Sequence, residues 1–269
     1  MESIDTPMKT KTELIPFFPS NLHEKQGKVS VWWFERNFSQ SFYGAFASRQ
    51  CNSCMLIMLL IASRIRIYNI KMKAVQDQLP FDLISVFAES ILDGNKIYCT
   101  MSNAKKLRDI NFSVPDAICA VGKYLRGLNE WFYASIQVLN FANGISESIF
   151  SGLTEGYNRW KGCTATTKTE NYLFALLIAS KQSVLFVFEE KSSTVTVLDS
   201  HEHLGVYGSI VVQTDIKNLF GLCHTIERMY LDVSESCPYR MELSFLECNE
   251  ENPLVYIRKF IPFASSIAY

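Results

Sequence analysis

Every residue from Cys54 to Ala62 is apolar: Cys54-Met55-Leu56-Ile57-Met58-Leu59-Leu60-Ile61-Ala62. A stretch that is apolar all round belongs to a helix buried at the centre of a domain, because no face is left for water. The pattern predicts a helix over 51–68, whose second half turns basic at Arg64 and Arg66 and so emerges toward solvent. Helical spacing recurs over 79–88 and stops near Asp93-Gly94-Asn95, which reads as a C-cap. Ser113-Val114-Pro115-Asp116 is a helix start, with Ser113 as the cap and Pro115 in the first turn. Residues 169–179 read as a second buried helix, and 146–168 as loop around Trp160 and Cys163.

After residue 182 the period shortens. Residues 183–189 form a continuous apolar strand, 190–193 a turn, and 194–199 a returning strand. Residues 208–212, 241–247 and 254–261 are further strands, and 28–34 is an opening one. Residues 130–143 fit a strand or an irregular connection. Between them, 215–231 is an amphipathic helix with Leu219, Leu222, Ile226 and Tyr230 on one stripe. Helices first and adjacent strands later give an α+β fold class, with helices packed on a mainly antiparallel sheet. Residues 1–27 are a loose polar arm, 28–262 a single domain and 263–269 a tail.

Composition narrows the functional classes. A net charge of −1 over 269 residues provides no basic face, so nucleic acid is not an expected partner. The longest apolar run is about half of the roughly 20 residues a membrane span needs, so no membrane partner is expected. Eight cysteines are scattered through a chain too long to need staples, and residues 1–24 are too polar for a leader. They read as reduced thiols of a cytoplasmic or nuclear protein.

A thiol near the first turn of a buried helix meets unpaired backbone N–H groups and the positive end of the helix dipole, both of which favour thiolate. Thiol hydrolysis also needs an imidazole and a group to orient it. Of the four histidines, His23 lies in the arm and His224 in the amphipathic helix, which leaves His201 and His203. Residues two apart on a strand share a face, so Asp199 and His201 project together from the end of 194–199. Cys51, His201 and Asp199 are therefore the expected thiol, base and orienting carboxylate. Cys54 is expected to pack inward, and His203 to lie beyond the strand end, outside the pair. Cys51-x-x-Cys54 also has metal spacing, but a closed zinc site needs four ligands and no second such pair exists. Nothing nearby resembles a thioredoxin strand–helix unit, so a redox dithiol is not expected either.

The stretch Tyr43-Gly44-Ala45-Phe46-Ala47-Ser48-Arg49-Gln50-Cys51 resembles the nucleophile region of the herpesvirus large-tegument-protein deubiquitinases. In that family an aromatic-Gly loop leads to Gln-Cys at the start of a buried helix, and Asp-x-His follows on a distant strand, as Asp199-Ser200-His201 does here. The resemblance covers these two segments and their order. It implies a papain-like cysteine protease layout, no cofactor, and ubiquitin or a ubiquitin-like protein as partner, with further protein complex partners open. It also implies an amide donor to the oxyanion upstream of the cysteine, a place filled by either Gln40 or Asn37. The expected activity is that of a ubiquitin-directed cysteine peptidase. The alternative is an inactive domain of the same layout that serves as a protein-interaction module.

Overall fold

The computed structural model describes residues 15–49, 52–72, 77–105, 112–125, 127–137, 144–162, 171–179, 181–233 and 240–248. Its frame is an eight-stranded sheet of β1 (Asn21–Gln26), β2 (Val29–Glu35), β3 (Leu128–Gln137), β4 (Tyr172–Ala179), β5 (Gln182–Glu189), β6 (Thr194–Asp199), β7 (Tyr207–Asp215) and β8 (Arg240–Cys248). Their spatial order is β1-β2-β7-β6-β5-β4-β8-β3. Every neighbouring pair is antiparallel. The α+β expectation therefore holds: helix and antiparallel sheet are mixed in one chain.

Helices cover both faces. On one side α1 (Cys54–Ile67), α2 (Phe81–Lys105) and α3 (Val114–Leu125) pack over Trp32, Phe174, Leu185 and Val211. On the other, α4 (Ile145–Gly162) and α5 (Leu219–Val233) pack over Val31, Phe186, Val197 and Phe245. Successive strand residues thus alternate between two apolar layers, and the strands read as unbroken apolar runs.

That arrangement corrects one expectation directly. Residues 172–179 are not a buried helix but β4, in register with β5 from Tyr172↔Glu189 to Ala179↔Gln182. A short run that is apolar on both faces has no period to separate strand from helix. Three other differences concern glycines or polar strands. Residues 21–26, expected in the arm, form β1 against β2. Residues 145–162, expected as loop, are α4, whose stripe of Ile145, Ile149, Leu153 and Trp160 is buried. Its glycines are close-approach sites: a Cβ on Gly156 would stand 2.1 Å from Phe245 Cζ. Gly94 likewise does not cap a helix, because α2 continues to Lys105. The expected strand over 254–261 lies outside the described residues.

α1 is the central helix. From Cys54 to Ser63 every side chain is buried, and it packs between α2, α3 and strand β5. Its basic end does emerge, where Arg64 pairs with Asp93 and donates to Ser90 Oγ at 2.8 Å. Contact with α2 is closest at Gly94, where an added Cβ would meet Ile57 Cγ1 at 2.5 Å and the Ile57 backbone nitrogen at 3.2 Å. Gly94→Ala should accordingly cost about 1–3 kcal/mol by overpacking. Gly122→Ala on α3 meets nothing within 4 Å and should be neutral or stabilising. Thermal unfolding of the two variants checks this; equal melting temperatures would show that α1 and α2 do not touch at Gly94.

Candidate active site

The site lies where the first turn of α1 meets one end of the sheet, at the β4–β5 turn and the end of β6. Ser53 precedes the helix without a side-chain cap, and its carbonyl accepts the Ile57 N–H at 2.9 Å. Cys54 is the first helical residue and is buried. Its Sγ stands 3.7 Å from the carbonyl oxygen of Lys181, which turns the chain from β4 into β5 at a φ of 68°. His201 and Ser183, the second residue of β5, are near enough to the sulfur to favour its ionised form.

Asp199 closes β6, paired with Ile210 of β7. Its Oδ1 lies 2.5 Å from His201 Nδ1 and accepts the His201 backbone N–H at 2.9 Å. With Nδ1 taken up by Asp199, Nε2 is the ring atom left for the Cys54 thiol. Asp199 and His201 thus meet, though not from one strand face: β6 ends at Asp199, and His201 lies in the bend that follows.

His203 does not lie outside the pair. It is buried, and its Nε2 is 3.2 Å from Asp199 Oδ2, so the carboxylate stands between two imidazoles. A tight hairpin holds His203 in place: its N–H donates to Tyr207 O and its carbonyl accepts from Tyr207 N, both at 2.9 Å. The bend uses Leu204 and Gly205 at positive φ. Residue type alone carries no sign of this reversal, which brings a residue beyond the strand end back to the carboxylate.

The charges support one another. Burial pushes the Cys54 thiol up, but the His201 hydrogen bond and charge, with the Ser183 hydrogen bonds, outweigh it and leave the thiol below its ordinary 9.0. Burial disfavours the His201 imidazolium, yet the charge and hydrogen bond of Asp199, then Cys54, push it from 6.5 up to about 10. Burial also opposes ionisation of Asp199, and His201 and His203 overcome that to hold it well below the usual carboxylate range. All three shifts favour the ionised forms, thiolate, imidazolium and carboxylate, in a row.

Of the other expected residues, Gln40 is buried beside this row. Its N–H donates to Ser200 O at 2.9 Å, and its side-chain Oε1 accepts from Ser200 Oγ at 3.0 Å. Asn37 is exposed on the turn after β2. Cys51, the expected thiol, lies outside the described residues. The cysteine that meets His201 is Cys54, which packs inward as expected but against the imidazole and not merely against apolar side chains. Ser183 was missed altogether, since an isolated serine opening a strand gives no signal. Among the described residues no group of three His, Cys, Asp or Glu side chains is placed to hold a metal ion, and no helix is long and apolar enough to cross a membrane.

The alkylation rate of Cys54 against pH reads the coupling. In the wild type, reactivity should persist well below 9.0, because the thiol is lowered. His201→Ala removes the charge that opposes burial, so the curve should move to 9.0 or above. A wild-type curve that rises only near 9.0, and is unchanged in His201→Ala, would show that the two groups do not interact. His203→Ala removes the ring beside Asp199 Oδ2 but leaves the Asp199–His201 contact, so the curve should stay in place.

No protein-family model matches the sequence, and no curated protein sequence does. The solved structures similar in shape include two at low identity. One is the ubiquitin-specific protease encoded by a tegument protein of murine cytomegalovirus, in complex with a ubiquitin-based suicide substrate. It shares 15% identity at a TM-score of 0.43, over 79% of this chain and 84% of that one. The other is the Pseudomonas avirulence protein AvrPphB, at 11% identity and a TM-score of 0.40, over 73% of this chain and 94% of that one.

Proposed function

We propose that the protein is a cysteine peptidase of papain-like layout that cleaves the peptide or isopeptide bond after ubiquitin or a ubiquitin-like tail. The observation that carries the chemistry is the buried Cys54 thiol on His201, with His201 held by Asp199. An inert structural cysteine has a thiol raised by apolar surroundings, as Cys223 does, pushed up to about 12. Cys54 is equally buried and shifted the other way. The substrate class rests on the resemblance of Asp199-Ser200-His201 and the loop from Tyr43 to the herpesvirus deubiquitinases. That resemblance points to Cys51 as the nucleophile; we assign Cys54, three residues on, because it is the described cysteine whose thiol His201 lowers.

In this mechanism the Cys54 thiolate attacks the carbonyl carbon and its electrons move onto the carbonyl oxygen. To that oxyanion we assign the N–H groups at the start of α1 and the Gln40 side-chain amide, the upstream donor that the resemblance implies. Asn37, on an exposed turn, is not assigned a role. As the oxyanion collapses, the C–N bond breaks and His201 gives its proton to the leaving amine, which leaves a thioester on Cys54. His201, now neutral, takes a proton from water as the water attacks the thioester, and cleavage of the C–S bond restores the thiolate–imidazolium pair. Asp199 keeps the ring in the productive orientation and stabilises its charge. We place the protein in the cytoplasm or nucleus, where its scattered cysteines would stay reduced.

Ubiquitin carrying a C-terminal electrophile tests the assignment. The wild type should form one covalent adduct, Cys54→Ala should form none, and turnover in His201→Ala should fall by roughly 10³-fold or more, with a smaller loss in Asp199→Asn. An adduct that survives Cys54→Ala and disappears in Cys51→Ala would move the nucleophile to Cys51. A folded wild type that reacts with no ubiquitin-like probe would favour an interaction module.

A further inference from the structure

Asn95 lies in the interior of α2 and is fully buried. A buried amide on a helix is costly unless both of its ends are bonded. Both are. Its Nδ2 donates to the backbone carbonyl of Gln40 at 2.9 Å, and its Oδ1 accepts from Ser53 Oγ at 2.6 Å. The carbonyl can only accept, so the amide nitrogen must face Gln40, which fixes the orientation of the group.

The two partners stand on opposite sides of the reaction centre. Ser53 is the residue before Cys54, and Gln40 is bonded through its N–H and its side chain to Ser200, the residue before His201. A chain of hydrogen bonds therefore runs Ser53–Asn95–Gln40–Ser200, with all four residues buried. The flanks of the Gln40 loop are fixed separately. Ser209 N–H donates to Phe38 O at 2.7 Å, and Phe38 packs on Phe34, Tyr43 and Phe87. Gly94, next to Asn95, lets α1 approach closely enough for Ser53 to be reached.

We propose that Asn95 is a positioning residue that locks the Gln40 loop to the start of the Cys54 helix, holding the oxyanion donors in register with the nucleophile. This rests on the peptidase assignment above for its catalytic consequence, but not for the clamp itself. The role requires a donor and an acceptor at once. Aspartate supplies two acceptors and sets a carboxylate against the Gln40 carbonyl, while the Ser53 bond can persist. The Cys54–His201 contact does not pass through Asn95, so the clamp and the ion pair are separable.

The test compares the full-length wild type with Asn95→Asp and, in case that variant folds poorly, Ser200→Ala, which cuts the same chain at its far end. Three readouts are taken: kcat and KM on ubiquitin bearing a C-terminal fluorogenic amide, the pH profile of Cys54 alkylation, and hydrogen exchange at the Gln40 amide. In each variant kcat should fall roughly 10–100-fold with KM little changed, as expected for a misplaced transition-state donor. The alkylation profile should stay where it is in the wild type, and the Gln40 amide should exchange about tenfold faster or more. Wild-type kcat in a folded Asn95→Asp, unaltered Gln40 protection, or an alkylation profile that shifts together with kcat would each overturn the proposal. A wild type inert toward the ubiquitin substrate, with Gln40 protection still lost in the variants, would instead overturn the substrate assignment and leave the clamp standing.

Discussion

The Cys54 thiol, the His201 imidazole and the Asp199 carboxylate are buried together, and each favours the charged form of its neighbour. A charge taken out of water is stable only if it is paired and hydrogen-bonded. Asp199 answers that requirement for His201, and His201 for Cys54, with Ser183 adding to the lowering of the thiol. Removing one partner of such a buried pair costs about 3–5 kcal/mol, because the other is left uncompensated. The pairing also fixes the pH window. His201 is raised, so its contribution to stability is complete below 6.5 and lost as pH rises through about 10. Asp199 is lowered, so its contribution is complete above 3.8 and lost as pH falls through its native value. Both contributions are whole between 3.8 and 6.5 and weaken outside that range, on opposite sides.

The fold supplies what the pair needs by placing two rigid ends against each other. α1 is buried on every side through Ser63, so its first turn cannot shift without disturbing the apolar layer beneath it. β6 is an inner strand between β5 and β7, and its last residue is Asp199. The loop before α1 is held down at Gly208, where a Cβ would stand 2.4 Å from the carbonyl oxygens of both Glu35 and Phe38. That close approach lets Phe38 accept from Ser209 and brings Gln40 to Ser200. Helix, strand and loop thus converge on a few side chains, each buried and each bonded to a residue of another element.

How much of this the sequence shows depends on how local the evidence is. Asp199 and His201 are two residues apart, so closeness in sequence keeps them within reach even though His201 lies past the end of β6. The central helix is legible because nothing but burial explains nine apolar residues in succession. Its starting residue is less so: Ser53 makes no side-chain cap, and without one the helix begins later than Gln50-Cys51 suggests. Strand β4 reads as a helix because a sheet covered on both faces erases the alternation that marks a strand, and α4 reads as loop although its Gly152 and Gly156 sit inside a helix. In the structure they are where the helix touches Leu243 and Phe245. His203 and Asn95 depend on a hairpin reversal and on contacts between distant segments, so no local pattern reveals them.

The state of the His201 ring tests the central claim most directly. Heteronuclear NMR of the imidazole nitrogens, followed from pH 5 to pH 11, distinguishes a protonated ring from a neutral one. The paired arrangement predicts an imidazolium that persists through neutral pH and titrates near 10, and a midpoint that falls in Cys54→Ala as the thiolate is removed. A ring that titrates near 6.5 in the wild type, with the same midpoint in Cys54→Ala, would contradict the account, because Cys54 and His201 would then not share their charges.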